Sequence, residues 1–120
     1  MIVAGFGFRA GATAASLRDA LERTGGVPDA LATAADKARH PAFRALVRDL
    51  ALPVTGLSPE HLRGQPTATR STASLTHRAT PSLAEAAALA AAGPGARLVG
   101  PRAVSADRMA TCALATGASP

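Results

Sequence analysis

Met1-Ile2-Val3-Ala4-Gly5-Phe6-Gly7-Phe8-Arg9-Ala10-Gly11-Ala12-Thr13 opens the chain, and this stretch, with the segment after it to Thr24, decides the fold. Met1 to Ala4 is a short apolar run closed by glycine, the pattern of a strand covered on both faces and hence of a central parallel strand. Gly5 to Gly11 then supplies three glycines, where the backbone can turn sharply or admit a ligand because no Cβ obstructs it. Thr13 is placed to cap a helix whose apolar positions Ala14, Leu17 and Leu21 recur at helical spacing, and Gly25-Gly26 ends it. Strand, glycine turn and helix N-terminus together make an expected anion site, since open N–H groups and the positive end of the helix dipole converge there. Gly5, Gly7, Arg9, Gly11 and Thr13 are its candidate ligand residues.

Outward from this unit, Leu31 to Ala35 is a weak strand candidate that runs into Asp36 and the polar stretch Lys37-Ala38-Arg39-His40. Pro41 opens a second helix, with Phe43, Leu46, Val47 and Leu50 at i, i+3, i+4 and i+7. Pro53 stops it, Val54 to Leu57 reads as a third strand, and Ser58-Pro59-Glu60 begins a brief helical turn closed by Gly64. Gln65 to Ala79 is polar and aperiodic, the composition of a mobile flap, with at most two helical turns over Ser71 to Arg78. In Thr80-Pro81-Ser82-Leu83-Ala84-Glu85, Ser82 and Glu85 have capping-box spacing and start an alanine-rich helix that runs to Ala92. Arg97 to Gly100 and Arg108 to Ala115 are the last two strands, joined by a hairpin-like loop. The order implies one α/β domain over residues 1–116, a three-layer α/β/α arrangement with a mostly parallel sheet and an antiparallel C-terminal edge. Residues 117–120 form a frayed end. Ligands of such a sheet bind outside the carboxyl ends of its strands.

A chain of 120 residues holds one core. Its 13 basic against 8 acidic residues give a net charge of +5, which favours an anionic partner, although a GC-rich coding sequence also raises arginine content. With three Phe and no Tyr or Trp, the stacking surface of a single-strand nucleic-acid binder is missing, so small carboxylates or phosphates suit the chain better. The lone Cys112 excludes an internal disulfide and fits a reducing cytoplasm. No signal peptide is expected, since the apolar strand at Met1 has no positive segment ahead of it, and no apolar run approaches the ~20 residues of a membrane span.

Gly5, Gly7 and Ala10 satisfy G-x-G-x-x-A, but a two-halved dinucleotide fold needs more chain, and Arg9 is not asked for by that motif. The glycines serve either a ligand or the close packing of strand on helix. Arg9 is suited to a bidentate carboxylate contact beside a helix N-terminus, or to a surface ion pair. Ser82 and Glu85 are first of all a helix start, while the N–H groups of that turn, with Thr80, remain anion donors. Arg102 and Ser105 offer donors on a strand-connecting loop, as a binding rim or as ordinary surface. His40, His61 and His77 are scattered without metal-ligand spacing, and no catalytic nucleophile stands out.

The strand-glycine-Arg-glycine turn Val3 to Gly11, the helix start Thr80-Pro81-Ser82-Leu83-Ala84-Glu85-Ala86-Ala87-Ala88-Leu89, and Leu98-Val99-Gly100-Pro101-Arg102 before a last strand resemble the CobE / CbiG C-terminal domain family of cobalamin biosynthesis. The resemblance covers essentially the whole chain, in its free-standing form. Two positions depart from the family pattern: Phe8 stands where the turn often has cysteine, and Arg102 where lysine is usual. The resemblance implies an α/β domain acting among corrin and precorrin intermediates, apolar tetrapyrrole macrocycles that carry several carboxylates. An accessory protein that binds, shields or hands on such an intermediate to other enzymes of the pathway is the leading expectation. A hydrolase or lyase opening the lactone of a ring-contracted precorrin is the alternative, and a nucleotide-binding module the third. No cofactor or metal is expected.

Overall fold

The computed structural model describes residues 1–62, 83–100 and 102–117, with His61 described by its backbone alone. The expected flap over 65–79, Thr80, Ser82 and the last three residues lie outside the described residues. The elements are β1 (Ile2–Phe8), α1 (Ala14–Arg23), β2 (Ala30–Ala34), a 3₁₀ turn (Lys37–Arg39), α2 (Pro41–Leu50), β3 (Val54–Leu57), α3 (Pro59–Leu62), α4 (Leu83–Ala92), β4 (Arg97–Leu98), β5 (Ala103–Val104) and β6 (Ala110–Thr116). One sheet runs β3-β2-β1-β6-β4, and β5 also pairs with β6. β1, β2 and β3 are mutually parallel, while β6 is antiparallel to β1, β4 and β5.

This is the expected α/β class, with a larger antiparallel share. The last strand lies inside the sheet and pairs with the whole of β1, from Ile2 opposite Thr116 to Phe8 opposite Ala110. Its sequence accounts for that position, because Cys112, Ala113, Leu114 and Ala115 are all buried, and a strand covered on both faces belongs in the interior. The loop before it is also more ordered than expected, since Ala103 and Val104 pair with Cys112 and Thr111 and tighten the hairpin.

A second correction concerns the opening stretch. The strand does not end at Gly5 but continues through Gly7 to Phe8, and the turn is confined to Arg9–Thr13. The reason is the layer behind it. On one face of β1, Ala4, Phe6 and Phe8 pack with Leu17, Leu21, Phe43 and Leu46 of α1 and α2. Phe6 meets Phe43 edge to face at 5.8 Å, and Phe8 stacks on Phe43 at 6.1 Å. On the other face Val3, Ala30, Ala32 and Ala34 meet Leu83, Ala86 and Ala87 of α4. Small residues on both sides bring this helix very close. A Cβ on Gly5 would stand 2.1 Å from the Ala84 carbonyl oxygen and 2.5 Å from the Ala88 nitrogen, so glycine is required there for the approach of a helix.

α1 and α2 begin as the sequence predicts. Thr13 and Ser16 form a reciprocal capping box on α1. Pro41 occupies the first turn of α2. Glu85 stands third in α4 and is fully buried. Among the described residues no helix is long and apolar enough to cross a membrane.

Candidate functional site at the carboxyl edge

Parallel pairing puts the ends of β1, β2 and β3 at one edge of the sheet. The loops that follow them, Arg9–Thr13, Asp36–His40 and Ser58 onward, therefore converge there. Because β6 runs antiparallel to β1 and begins opposite Phe8, the hairpin turn of residues 105–109 joins the same edge. α4 runs antiparallel to β1 as well: a Cβ on Gly7 would meet Leu83 Cβ at 3.4 Å, whereas Gly5 faces Ala84 and Ala88. The N-terminus of α4 thus points to this edge.

Arg9 is exposed at the end of β1. Its backbone N–H donates to the Met109 carbonyl at 2.9 Å, and its carbonyl accepts from Ala12 N at 3.0 Å. The guanidinium has no acidic partner among the described residues. Of the two readings of Arg9, the surface ion pair is therefore the one that the contacts do not support. Two residues after β2 clamp the loop from below. Lys37 Nζ donates to the Phe8 carbonyl at 2.6 Å and sits 4.8 Å from the Phe8 ring centroid. His40 joins loop and helix, since its Nδ1 accepts from Ala42 N at 3.1 Å as the N-cap of α2, which leaves Nε2 to donate to the Ala10 carbonyl at 2.7 Å. Its ring also packs edge-on against Phe8 at 5.2 Å. His40→Ala is expected to cost about 1 kcal/mol, as for other lost caps, and His40→Asn to recover most of it in a urea melt.

Lys37 and His40 are the residues of this edge that the sequence reading passed over. Their signal was positional: a basic run directly after the second parallel strand must lie on the same edge as the turn after the first. Arg39, exposed between them, adds a further cation.

The other predicted residues divide. Gly11 is exposed beside Arg9 in the turn. Gly5 and Gly7 lie within the strand under α4, with Thr111 Oγ1 donating to the Gly7 carbonyl at 3.2 Å, and their role is packing. Thr13 is occupied with Ser16. Ser105 is almost fully buried, donates to Asp107 Oδ1 at 2.5 Å and accepts from Ala110 N at 3.0 Å, so it pins the hairpin turn. Arg102 precedes β5, whose Ala103 is in register with Cys112 and so with Phe6, which places Arg102 below the edge and away from Arg9.

Asp107 is the chain's own anion at the start of α1. It accepts from Ser105, from Ser16 Oγ at 2.6 Å and from Met109 N at 3.0 Å, and these bonds, Ser105 first, hold its carboxyl below the ordinary 3.8. Part of the anion-binding capacity expected of that helix start is consequently used internally. A carboxyl depressed in the folded state stabilises above its unfolded value and loses that contribution as pH falls through the folded one. Asp107→Asn should therefore be less stable than wild type at about pH 6, and the gap in denaturant midpoint should shrink towards about pH 3. Cys112, on the buried face of β6, has its thiol pushed well above its usual value by burial, and the hydroxyls of Ser16 and Ser105 are both committed to Asp107.

The family profile for the cobalamin synthesis G C-terminus matches residues 2–115. The chain belongs to the cobalamin synthesis G C-terminus family. As a member of it, this is a protein of the cobalamin biosynthesis pathway, and two solved structures agree. The chain is similar to CobE, a protein from the cobalamin (vitamin B12) biosynthetic pathway, with 36% identity over 96% of this chain and 89% of that one, and a TM-score of 0.85. It is also similar to the cobalamin biosynthesis protein ChiG from Agrobacterium tumefaciens, with 35% identity, 99% and 100% coverage and a TM-score of 0.73. A cobalamin biosynthesis protein G homologue from Sulfolobus solfataricus shares the fold at 20% identity and a TM-score of 0.68, covering 98% of this chain and 37% of that one. Comparison with curated proteins finds no match.

Proposed function

We propose that this member of the family binds a carboxylate-rich corrin or precorrin intermediate at the carboxyl edge of its sheet and hands it on to another enzyme of the pathway. The observation that carries the reading is Arg9, an exposed guanidinium without an acidic partner among the described residues, on a loop already fixed by Lys37, His40 and Met109. With the loop backbone already ordered, binding has only the Arg9 side chain left to fix, so less of its contact energy is spent on ordering. Two parallel hydrogen bonds from a guanidinium match an acetate or propionate arm of the macrocycle.

The test is a spectroscopic titration with hydrogenobyrinic acid and with its fully methyl-esterified form. The acid should bind one to one with its pigment chemically unchanged on recovery, and the ester, which keeps the ring and loses the charges, should bind far more weakly. Equal affinity for the two would remove the carboxylates from the recognition. Turnover of a ring-contracted precorrin lactone with released aldehyde would replace the carrier by the hydrolase or lyase reading.

A further inference from the structure

A different surface, on the α2 side of the sheet, combines an open strand edge, an apolar groove and two arginines. Among the described residues β3 is the terminal strand and pairs only with β2. The Pro53 and Leu57 carbonyls are directed at β2, accepting from Leu31 N and Ala35 N at 2.9 Å each. By strand alternation the backbone groups of Val54 and Gly56 are then turned outward. Beside this edge lies a cavity of about 540 Å³, lined by Ala38, Phe43, Val47 and Val54 and flanked by Arg44 and Arg48. Val54 and Gly56 share a strand face, and a Cβ at Gly56 would point at Ala35 and Ala38, so the missing side chain keeps the groove open along the strand.

Arg44 and Arg48 are one helical turn apart and both exposed, and neither has an acidic partner among the described residues. Like charges at this spacing repel. Arg48, in the last turn, is compensated by the helix dipole, but Arg44, in the middle of α2, is not.

We infer that this surface docks an extended acidic segment of a partner protein, added to β3 as a further strand. Each of the three features selects one property of the occupant. The open backbone of Val54 and Gly56 asks for an extended main chain, the groove takes apolar side chains from the strand face turned to α2, and the arginine pair favours carboxylates on that same face, two residues away from an apolar one. A second copy of this chain is a poor occupant, since a two-fold pairing through β3 would bring a second Arg44 and Arg48 towards the first. Arg9 does not line the groove, which adjoins the Asp36–His40 loop through Ala38 and Pro41, so the two readings are tested by different side chains.

Fluorescence anisotropy with a fluorescein-labelled Glu-Thr-Val-Thr-Glu-Thr-Val-Thr peptide, whose Glu and Val side chains share one strand face, tests it. Saturable binding is expected, weakened by roughly tenfold or more in Arg44→Gln/Arg48→Gln, abolished when alternate peptide amides are N-methylated, and unchanged in Arg9→Ala. Amide chemical-shift changes on adding the peptide should fall within residues 38–56. The inference is overturned by the absence of saturable binding, by equal affinity of the N-methylated peptide, or by equal affinity of the double variant with its fold intact.

Discussion

Gly5→Ala is expected to destabilise the protein by about 3 kcal/mol, at the upper end for an overpacked core, and to lower the melting temperature by roughly 10–15 °C. The added methyl would stand 2.1 Å from the Ala84 carbonyl oxygen and 2.5 Å from the Ala88 nitrogen. Both atoms are backbone, so no side chain can rotate away, and relief requires α4 to lift from the sheet along its alanine face. Gly11→Ala is the control: the nearest atom to its Cβ is the flexible Met109 Cε at 3.0 Å, and the change should stay within about 0.5 kcal/mol. Urea denaturation of both variants, with the slope monitored to confirm two-state behaviour, checks the contrast. A Gly5→Ala protein as stable as wild type would mean that helix and sheet are not in this close contact.

That pair of glycines also shows where the sequence was readable and where it was not. Local signals, each carried by neighbouring residues, placed most elements well. Thr13 capped α1, Pro41 opened α2, and Val54 to Leu57 formed β3 as expected, while α2 stops at Leu50 on a left-handed Ala51, two residues ahead of Pro53. Gly5 and Gly7 were ambiguous because glycine serves a turn and a close packing contact equally well, and the deciding neighbours, Ala84 and Ala88, lie some eighty residues away in the chain. The position of β6 was hidden for the same reason. Its apolar sequence marks it as buried, but only its pairing with β1 makes it interior. At the carboxyl edge, the position of Arg9 just beyond the first strand was legible, whereas Lys37 and His40 act through the Phe8 and Ala10 carbonyls and become visible only once β1 and β2 are side by side. Ser105 looked like an exposed donor and is instead turned inward by Asp107 and Ala110.

Arg9→Ala is expected to weaken binding of the corrin intermediate by about 1.5–3 kcal/mol, roughly 10- to 150-fold, while changing fold stability by no more than about 0.5 kcal/mol. The small stability effect follows from the exposed side chain and its lack of an acidic partner among the described residues; the loop is held through the Arg9 backbone and by Lys37 and His40, all of which the substitution leaves in place. The large binding effect follows if a charge-assisted pair is lost. Arg9→Lys keeps the charge and loses the planar fork, so it should fall between the two. Ionic strength must be matched, because salt screens an exposed pair over about 8–10 Å. The most direct test of the proposed site is therefore a calorimetric titration of wild type, Arg9→Lys and Arg9→Ala with hydrogenobyrinic acid in one buffer. Affinities falling in that order, at unchanged melting temperature, are predicted; equal affinities across the three would contradict a corrin site at the carboxyl edge.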